Sequence, residues 1–450
     1  LKKILLRIAT LFIIFIGIGL LLVAPIDRQH YREQAYYRQT MQALDSLEAS
    51  LSIRQTDSLK AGWSRKNITP AEKLHLMGYG WKGDYEAVHD SLMLRCFVFD
   101  NGQKKIALLS YDLMIVHPDL AQAICHAADT AALSLQGIYF SAVHTHKGYG
   151  EWAKGLSGRL TAGGYNPELV DFMVRQSLAA IREAGQRSRT VEVGYAAFSR
   201  PDLLRNRLTH TAAADDSLRV LKLAQPGGET ALLCTYAAHA TFISSRSMEL
   251  SADYPGQLVK ALERHPSVDF AAYAAGAVGS HSPVRIGDFT YAKMEAYAEN
   301  LAAPLLDSLD VIATQPVSRM CFARLPLRLG GAQLKIAEQW RVRPWLFETF
   351  FGKLQPKISL LMLEDVVLMG VPADFSGMLY DQLQTPPFHL MISSFSGSYI
   401  GYVIPDTHYG LPHREARELN WFGPYTGSYV SEVMGRLLEI LAGKTQKKRT

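Results

Sequence analysis

The sequence predicts an α/β fold of mixed β-sheets with flanking helices, preceded by an N-terminal transmembrane helix. Three observations carry this. Short apolar, β-branched runs alternate with segments of helical period along the whole chain. The composition is that of a large globular protein, 48% hydrophobic and 20% charged over 450 residues. The third observation is an uncharged apolar run, Ile8 to Ile26, directly after Lys2, Lys3 and Arg7.

Taken in order, residues 1–26 read as a signal anchor. The run of about nineteen residues is long enough to cross a bilayer, and the basic flank keeps the N-terminus in the cytoplasm. The segment Leu20-Leu21-Leu22-Val23-Ala24-Pro25 offers no small-x-small cleavage site. The body is therefore expected on the exported, periplasmic or extracytoplasmic side of a membrane, with secretion after cleavage as the alternative. Residues 27–60 are polar and helix-prone and read as a helical stalk. Residues 61–450 read as one catalytic domain, beginning near Ala61-Gly62-Trp63.

Within that domain the strand pattern falls on Leu92 to Phe99, Lys105 to Ser110, Ile138 to Val143, Val191 to Ala196, Leu218 to Leu223, Thr230 to Ala237 and Phe270 to Ala274. It continues at Cys321 to Leu327, Ile358 to Leu363 and Val366 to Val371. Helices are expected at Pro118 to Ala131, where proline suits the first turn, and at Pro167 to Ala184, Gly256 to Glu263, Tyr291 to Leu309 and Tyr429 to Leu441. No internal repeat is visible. The net charge of +5 is diluted over the chain, and the one basic run is Lys444 to Arg449. Nucleic acid is thus not a predicted partner, and no obligate protein partner is evident. The four cysteines lie far apart, so buried thiols are expected at Cys96 and Cys234, with one disulfide open as an option.

Five places carry chemistry. The run Gly137 to Val143 ends in His144-Thr145-His146, followed by the turn Gly148-Tyr149-Gly150. On a strand, residues two apart share a face, and two imidazoles on one face suit a zinc ion. The bland reading is one surface histidine and one buried, hydrogen-bonded histidine. His239 ends a second apolar run. Gly276 to Pro283 is a small-residue turn holding Ser282, Asp374 follows a buried strand, and Tyr399 and Tyr402 flank Gly401. Alone, each reads as a core histidine, a turn serine, a helix cap or strand packing. A further stretch, Trp340 to Lys353, is aromatic and basic, as suits a membrane interface or a helix packed on the body.

Together these places resemble the neutral/alkaline, non-lysosomal ceramidases, zinc amidases that cleave the N-acyl bond of ceramide. The resemblance runs from Ala61-Gly62-Trp63-Ser64-Arg65-Lys66-Asn67-Ile68-Thr69-Pro70 through Met77-Gly78-Tyr79-Gly80 and Ser110-Tyr111-Asp112-Leu113 to Phe422-Gly423-Pro424-Tyr425-Thr426-Gly427. It implies a Zn2+ site of His144, His239, Asp374 and Tyr402. It also implies His146 as a contact to substrate or transition state, Ser282 as the catalytic serine and Arg207 as the arginine of an Asn-Arg-Ser-Pro motif. Either Ser282 or a zinc-activated water would attack the amide. Arg207 and His146 would hold the oxyanion, and Tyr402 would also pass a proton to the leaving amine. The implied substrate is an N-acyl, ceramide-like lipid, cleaved to fatty acid and amine.

This chain departs from the family pattern. Aspartate stands at 374 in place of glutamate, Gly279-Ser280-His281-Ser282-Pro283 lacks the family's acidic residue, and Asn206-Arg207 is followed by Leu208-Thr209. A later family tyrosine falls near Arg414 or Glu415, and the C-terminal immunoglobulin-like domain is not expected in this chain. The alternatives are therefore a zinc amidase for another N-acyl lipid or envelope amide, and a catalytically degenerate lipid-binding relative.

Overall fold

Runs such as Ile358 to Leu363 are apolar on successive residues, so a sheet built from them must be covered on both faces. The computed structural model, which describes residues 2–55, 58–80, 82–209, 215–285, 287, 289–383 and 387–446, does this three times over. Its body is three five-stranded mixed sheets.

The first sheet is ordered Arg189–Thr190, Lys60–Asn67, Met93–Asp100, Lys105–Tyr111, Leu135–Ala142. The second is ordered Gln315–Pro316, Glu192–Ser199, Ser217–Ala224, Thr230–Tyr236, Phe270–Ala275. The third is ordered Arg54–Gln55, Arg319–Pro326, Lys357–Leu363, Val366–Gly370, His389–Ser393. In each, three long strands form an antiparallel meander and the fourth lies parallel to the third. A parallel neighbour needs a crossover. The helices Pro118–Thr130 and Asp253–Glu263 supply it in the first two sheets, and the 3-10 segment Gly377–Leu383 in the third.

The chain is thus a threefold repeat of one topology. The repeat is invisible in the sequence because the three units share strand order and not residues. Helices Pro167–Gln186 and Tyr291–Asp307 follow the first two units, each leading to a two-residue edge strand. In the third unit that edge strand, Arg54–Gln55, comes from the other end of the chain, after helix Ala35–Ser50. The polar lead-in of residues 27–60 therefore holds a helix packed on the third sheet beside helix Thr426–Gln446. Glu432 fixes it there, accepting from Tyr31 Oη at 2.6 Å and Tyr37 Oη at 2.7 Å.

Alternate residues of each strand serve two cores. Phe97, Leu108, Leu233 and Leu361 point into one core shared by all three sheets. Their neighbours Cys96, Leu109 and Cys234 face the helices of the first two units, and Ile358 and Met362 face those of the third. All four cysteines are free thiols.

The expected strands appear within a few residues of their predicted bounds, and Lys60–Asn67 and His389–Ser393 are additions. The N-terminal segment requires a correction. Lys2–Leu22 is a helix, but it stops short of Ile26, because Val23–Pro25 is held as a strand against Trp340–Val342. The side chains of residues 9, 12–16, 18 and 20 lie outside the described residues. Among the described residues no helix is long and apolar enough to cross a membrane.

The shared core makes a prediction. Leu108→Ala, Leu233→Ala and Leu361→Ala each remove a fully buried side chain from a different sheet. Each is expected to cost about 2–5 kcal/mol, read as comparable losses in thermal or urea unfolding midpoints.

Candidate metal centre and its cavity

In each repeat the third and fourth strands run parallel, so their C-terminal ends emerge together. His144 and His146 follow Leu135–Ala142, His239 follows Thr230–Tyr236, and Asp374 follows Val366–Gly370. Tyr399 and Tyr402 come after His389–Ser393. Each repeat therefore delivers polar groups to one point. His144 and His146 do not meet by strand alternation, as the spacing predicted. The strand ends at Ala142 and His144 adopts a left-handed backbone, φ 65°. Such strain costs about 1–3 kcal/mol and is characteristic of functional sites.

The three imidazoles converge through Nε2. His144 Nε2 lies 2.9 Å from His239 Nε2, His146 Nε2 lies 2.9 Å from His239 Nε2, and His146 Nε2 lies 3.3 Å from His144 Nε2. Tautomers follow from the partners of the other nitrogens. His144 Nδ1 donates to the Met114 carbonyl at 2.7 Å and His146 Nδ1 to the Gly78 carbonyl at 2.7 Å. Their Nε2 lone pairs then point at each other. His239 Nδ1 has Arg207 Nη2 at 3.2 Å and the Val278 carbonyl at 3.4 Å. Even with a proton on its Nε2, one proton serves three nitrogens in mutual contact. A cation is the better match, and the backbone carbonyls are the outer partners that metal-bound histidines use.

Asp374 strengthens the fit. Its Oδ1 is buried with no hydrogen-bond partner among the described residues. It stands 3.6 Å from His144 Nε2 and 3.7 Å from His239 Nδ1. Its Oδ2 is taken by Tyr399 Oη at 2.6 Å. Burial pushes the Asp374 carboxyl up to about 7, opposed by the Tyr399 hydrogen bond and the charge of Arg207. Burial also pulls His146 down to about 4 and lowers His144 and His239 strongly. The imidazoles are thus neutral at physiological pH, the form that binds metals. The three histidines are a candidate site for a metal ion.

Tyr402 pairs backbone to backbone with Asp374, and its phenol accepts from Arg207 Nη2 at 3.0 Å. Arg207 also lies 3.3 Å from Glu415, in the region where the resemblance placed a tyrosine. These groups form the floor of a cavity of about 830 Å³ whose walls include Met77, Met114, Trp152, Leu354 and Trp421. That volume suits a small organic ligand with an apolar chain.

Six of the seven residues named from the sequence therefore come together: His144, His146, His239, Asp374, Tyr402 and Arg207. Ser282 does not join them. It is not among the residues lining the cavity, and its Oγ accepts from Arg205 Nε at 2.9 Å across a two-strand ladder. Tyr399, read from the sequence as strand packing, holds Asp374, and the residue passed over is Phe395, whose ring stacks on His144 at 3.7 Å. Gly78 has φ 142°, and a Cβ there would collide with His146, so its place in Met77-Gly78-Tyr79-Gly80 was a legible signal.

Fold and site together define a mixed α/β protein with a buried histidine–carboxylate centre in a cavity with apolar walls. The chain belongs to the neutral/alkaline non-lysosomal ceramidase family, whose N-terminal domain model matches residues 59–326. This is a family of hydrolases. Among solved structures it is similar to neutral ceramidase from Pseudomonas aeruginosa, with a TM-score of 0.69 and 16% identity over 86% of this chain and 75% of that one. It is also similar to a ceramidase complexed with C2, with a TM-score of 0.72 and 15% identity over the same shares. No curated protein matches it.

Two predictions follow from this geometry. Tyr399→Phe frees Asp374 Oδ2 and is expected to weaken divalent-metal affinity about 10–100-fold while leaving the unfolding midpoint of the metal-free protein nearly unchanged. Competition with a fluorescent chelator reads this. The second concerns pH. Below about 7 the Asp374 carboxyl holds its proton in the metal-free protein, and an incoming cation must displace it. Affinity should therefore rise about tenfold per pH unit up to neutrality and flatten above it. A flat profile between pH 5.5 and 7 would remove Asp374 from the ligand set.

Proposed function

We propose that this chain is a zinc-dependent amidohydrolase that cleaves the N-acyl bond of a ceramide-like lipid to fatty acid and amine. The observation that carries the reading is the trio of inward-facing imidazole nitrogens beside an unpaired carboxylate oxygen, at the floor of a cavity with apolar walls. His144, His146, His239 and Asp374 would hold the ion, with Tyr402 at its edge. When bound, zinc supplies Lewis-acid polarisation and a nucleophile at neutral pH.

The chain's own residues do the rest. Met114, Trp152 and Leu354 take the acyl chain and keep water from the reacting carbonyl. Arg207, already donating to Tyr402, presents positive charge where an oxyanion develops. Burial raises the Tyr402 phenol well above its usual range, so it stays protonated and able to donate to the departing amine. The reading further places the body on the exported side of a membrane. Lys2, Lys3 and Arg7 before the apolar run support that orientation.

A second substrate class has its own observation. Glu415, Glu418, Arg414 and Arg285 line the cavity, so the amine half of the substrate meets charged groups. An N-acyl amide with a charged head would use them.

Fatty-acid release from a panel of N-acyl lipids, with and without a zinc chelator, tests the reading. Release from ceramide that the chelator abolishes is expected, with His144→Ala and His239→Ala reduced to background. Ser282→Ala should keep turnover within about tenfold, because a lost nucleophile would cost several orders of magnitude. A fully active His144→Ala would overturn the site. Zinc bound without release from any acyl amide would leave a binding protein.

A further inference from the structure

Most large apolar side chains of the body are buried, and the exceptions are unevenly placed. Leu156 and Leu160 stand 42% and 54% exposed on helix Gly155–Ala162, and Trp345 and Phe350 stand 53% and 37% exposed on helix Pro344–Phe351. Trp340 and Ile336 stand 41% and 51% exposed on the hairpin just before the second helix. The two helices pack against each other. Both also lend residues to the cavity wall: Ser157, Gly158 and Thr161 from one, Phe351 from the other. The exposed apolar side chains thus crown the rim of the same cavity that ends at the histidines.

Two more observations choose the occupant. The first is charge. These rim segments carry Lys154, Arg159, Arg341, Arg343 and Lys353 against Glu338 and Glu348, with Asp119 near Lys154 and Asp27 near Arg341. Aromatic and aliphatic side chains among basic ones match an anionic lipid surface. The second is chain continuity. Val23–Pro25 pairs with Trp340–Val342, and Arg343 N donates to the Leu22 carbonyl at 2.9 Å. The apolar helix Lys2–Leu22 therefore joins the body at this rim.

We propose that the rim formed by helices Gly155–Ala162 and Pro344–Phe351 is a membrane-docking surface that seats the cavity mouth on an anionic bilayer. Leu160, Trp345 and Phe350 enter the interface, and the basic side chains lie at phosphate level. An N-acyl lipid then passes into the cavity along an apolar path. This deepens the lipid-hydrolase reading and rests on it for the substrate, while the docking geometry is testable without turnover.

The experiment uses the full chain reconstituted in vesicles of phosphatidylcholine and phosphatidylglycerol. A spin label is placed by Leu160→Cys, by Trp345→Cys, or by Val311→Cys as a control on an exposed residue outside the rim. The rim labels are expected to collide with oxygen and to be shielded from an aqueous nickel chelate, and the control to show the reverse. Rim labels as open to the chelate as the control would overturn the proposal. A second arm compares Leu160→Ala/Trp345→Ala with the parent on a soluble short-chain amide and on ceramide in vesicles. About tenfold loss on vesicles alone supports docking, and equal loss on both substrates overturns it. If no substrate is turned over but the rim labels are shielded, docking stands and the hydrolase reading falls.

Discussion

Three imidazole nitrogens held within 3.3 Å of one another are the constraint around which this molecule is organised. Lone pairs that close repel unless positive charge lies among them, so the arrangement must be imposed from outside. Rigid backbone imposes it here. The carbonyls of Met114 and Gly78 fix two rings, and the face of Phe395 backs the ring of His144, nearly parallel at 4°. The left-handed backbone at His144 is a further cost that well-packed surroundings must offset.

Those surroundings are the tripled topology. A sheet with a parallel third and fourth strand projects two loops from one end. Three such sheets around one core project six loops toward a common point. The site draws on all six: Met114, His144 and His146, His239, the Gly276–His281 turn, Asp374, and the Tyr399–Tyr402 turn. Ligands from strand ends are placed more accurately than ligands from free loops, because both faces of each strand are packed. Gly279 shows how tight the convergence is, since a Cβ there would strike the Asp374 carbonyl. The glycine of Gly279-Ser280-His281-Ser282-Pro283 is demanded by the packing of one repeat against another.

What was legible in the sequence follows the range of the physics. Strand positions came through because two-sided burial writes continuous apolar runs such as Thr230 to Tyr236. His144, His146, His239 and Asp374 were visible because a polar group at the end of such a run is conspicuous. The repeat was not visible, since its three copies conserve only strand order. Tyr399 was read as packing because a tyrosine beside a strand most often packs, and its 2.6 Å contact with Asp374 gives it a role. Ser282 stands out by its motif, and in the ladder with Leu204–Asn206 its Oγ accepts from Arg205. A pairing partner 77 residues away along the chain leaves no local trace.

The aspartate at 374 is the departure with the most chemistry in it. A carboxylate one methylene shorter than glutamate reaches less far and has fewer rotamers with which to find a ligand position. In this chain its surroundings hold it on three sides. The backbone of Asp374 pairs with that of Tyr402, Tyr399 holds Oδ2, and Oδ1 is left alone between two imidazoles. Tyr399 and the Tyr402 backbone therefore position Asp374 together, and Oδ1, without a partner among the described residues, is the atom left to meet a cation.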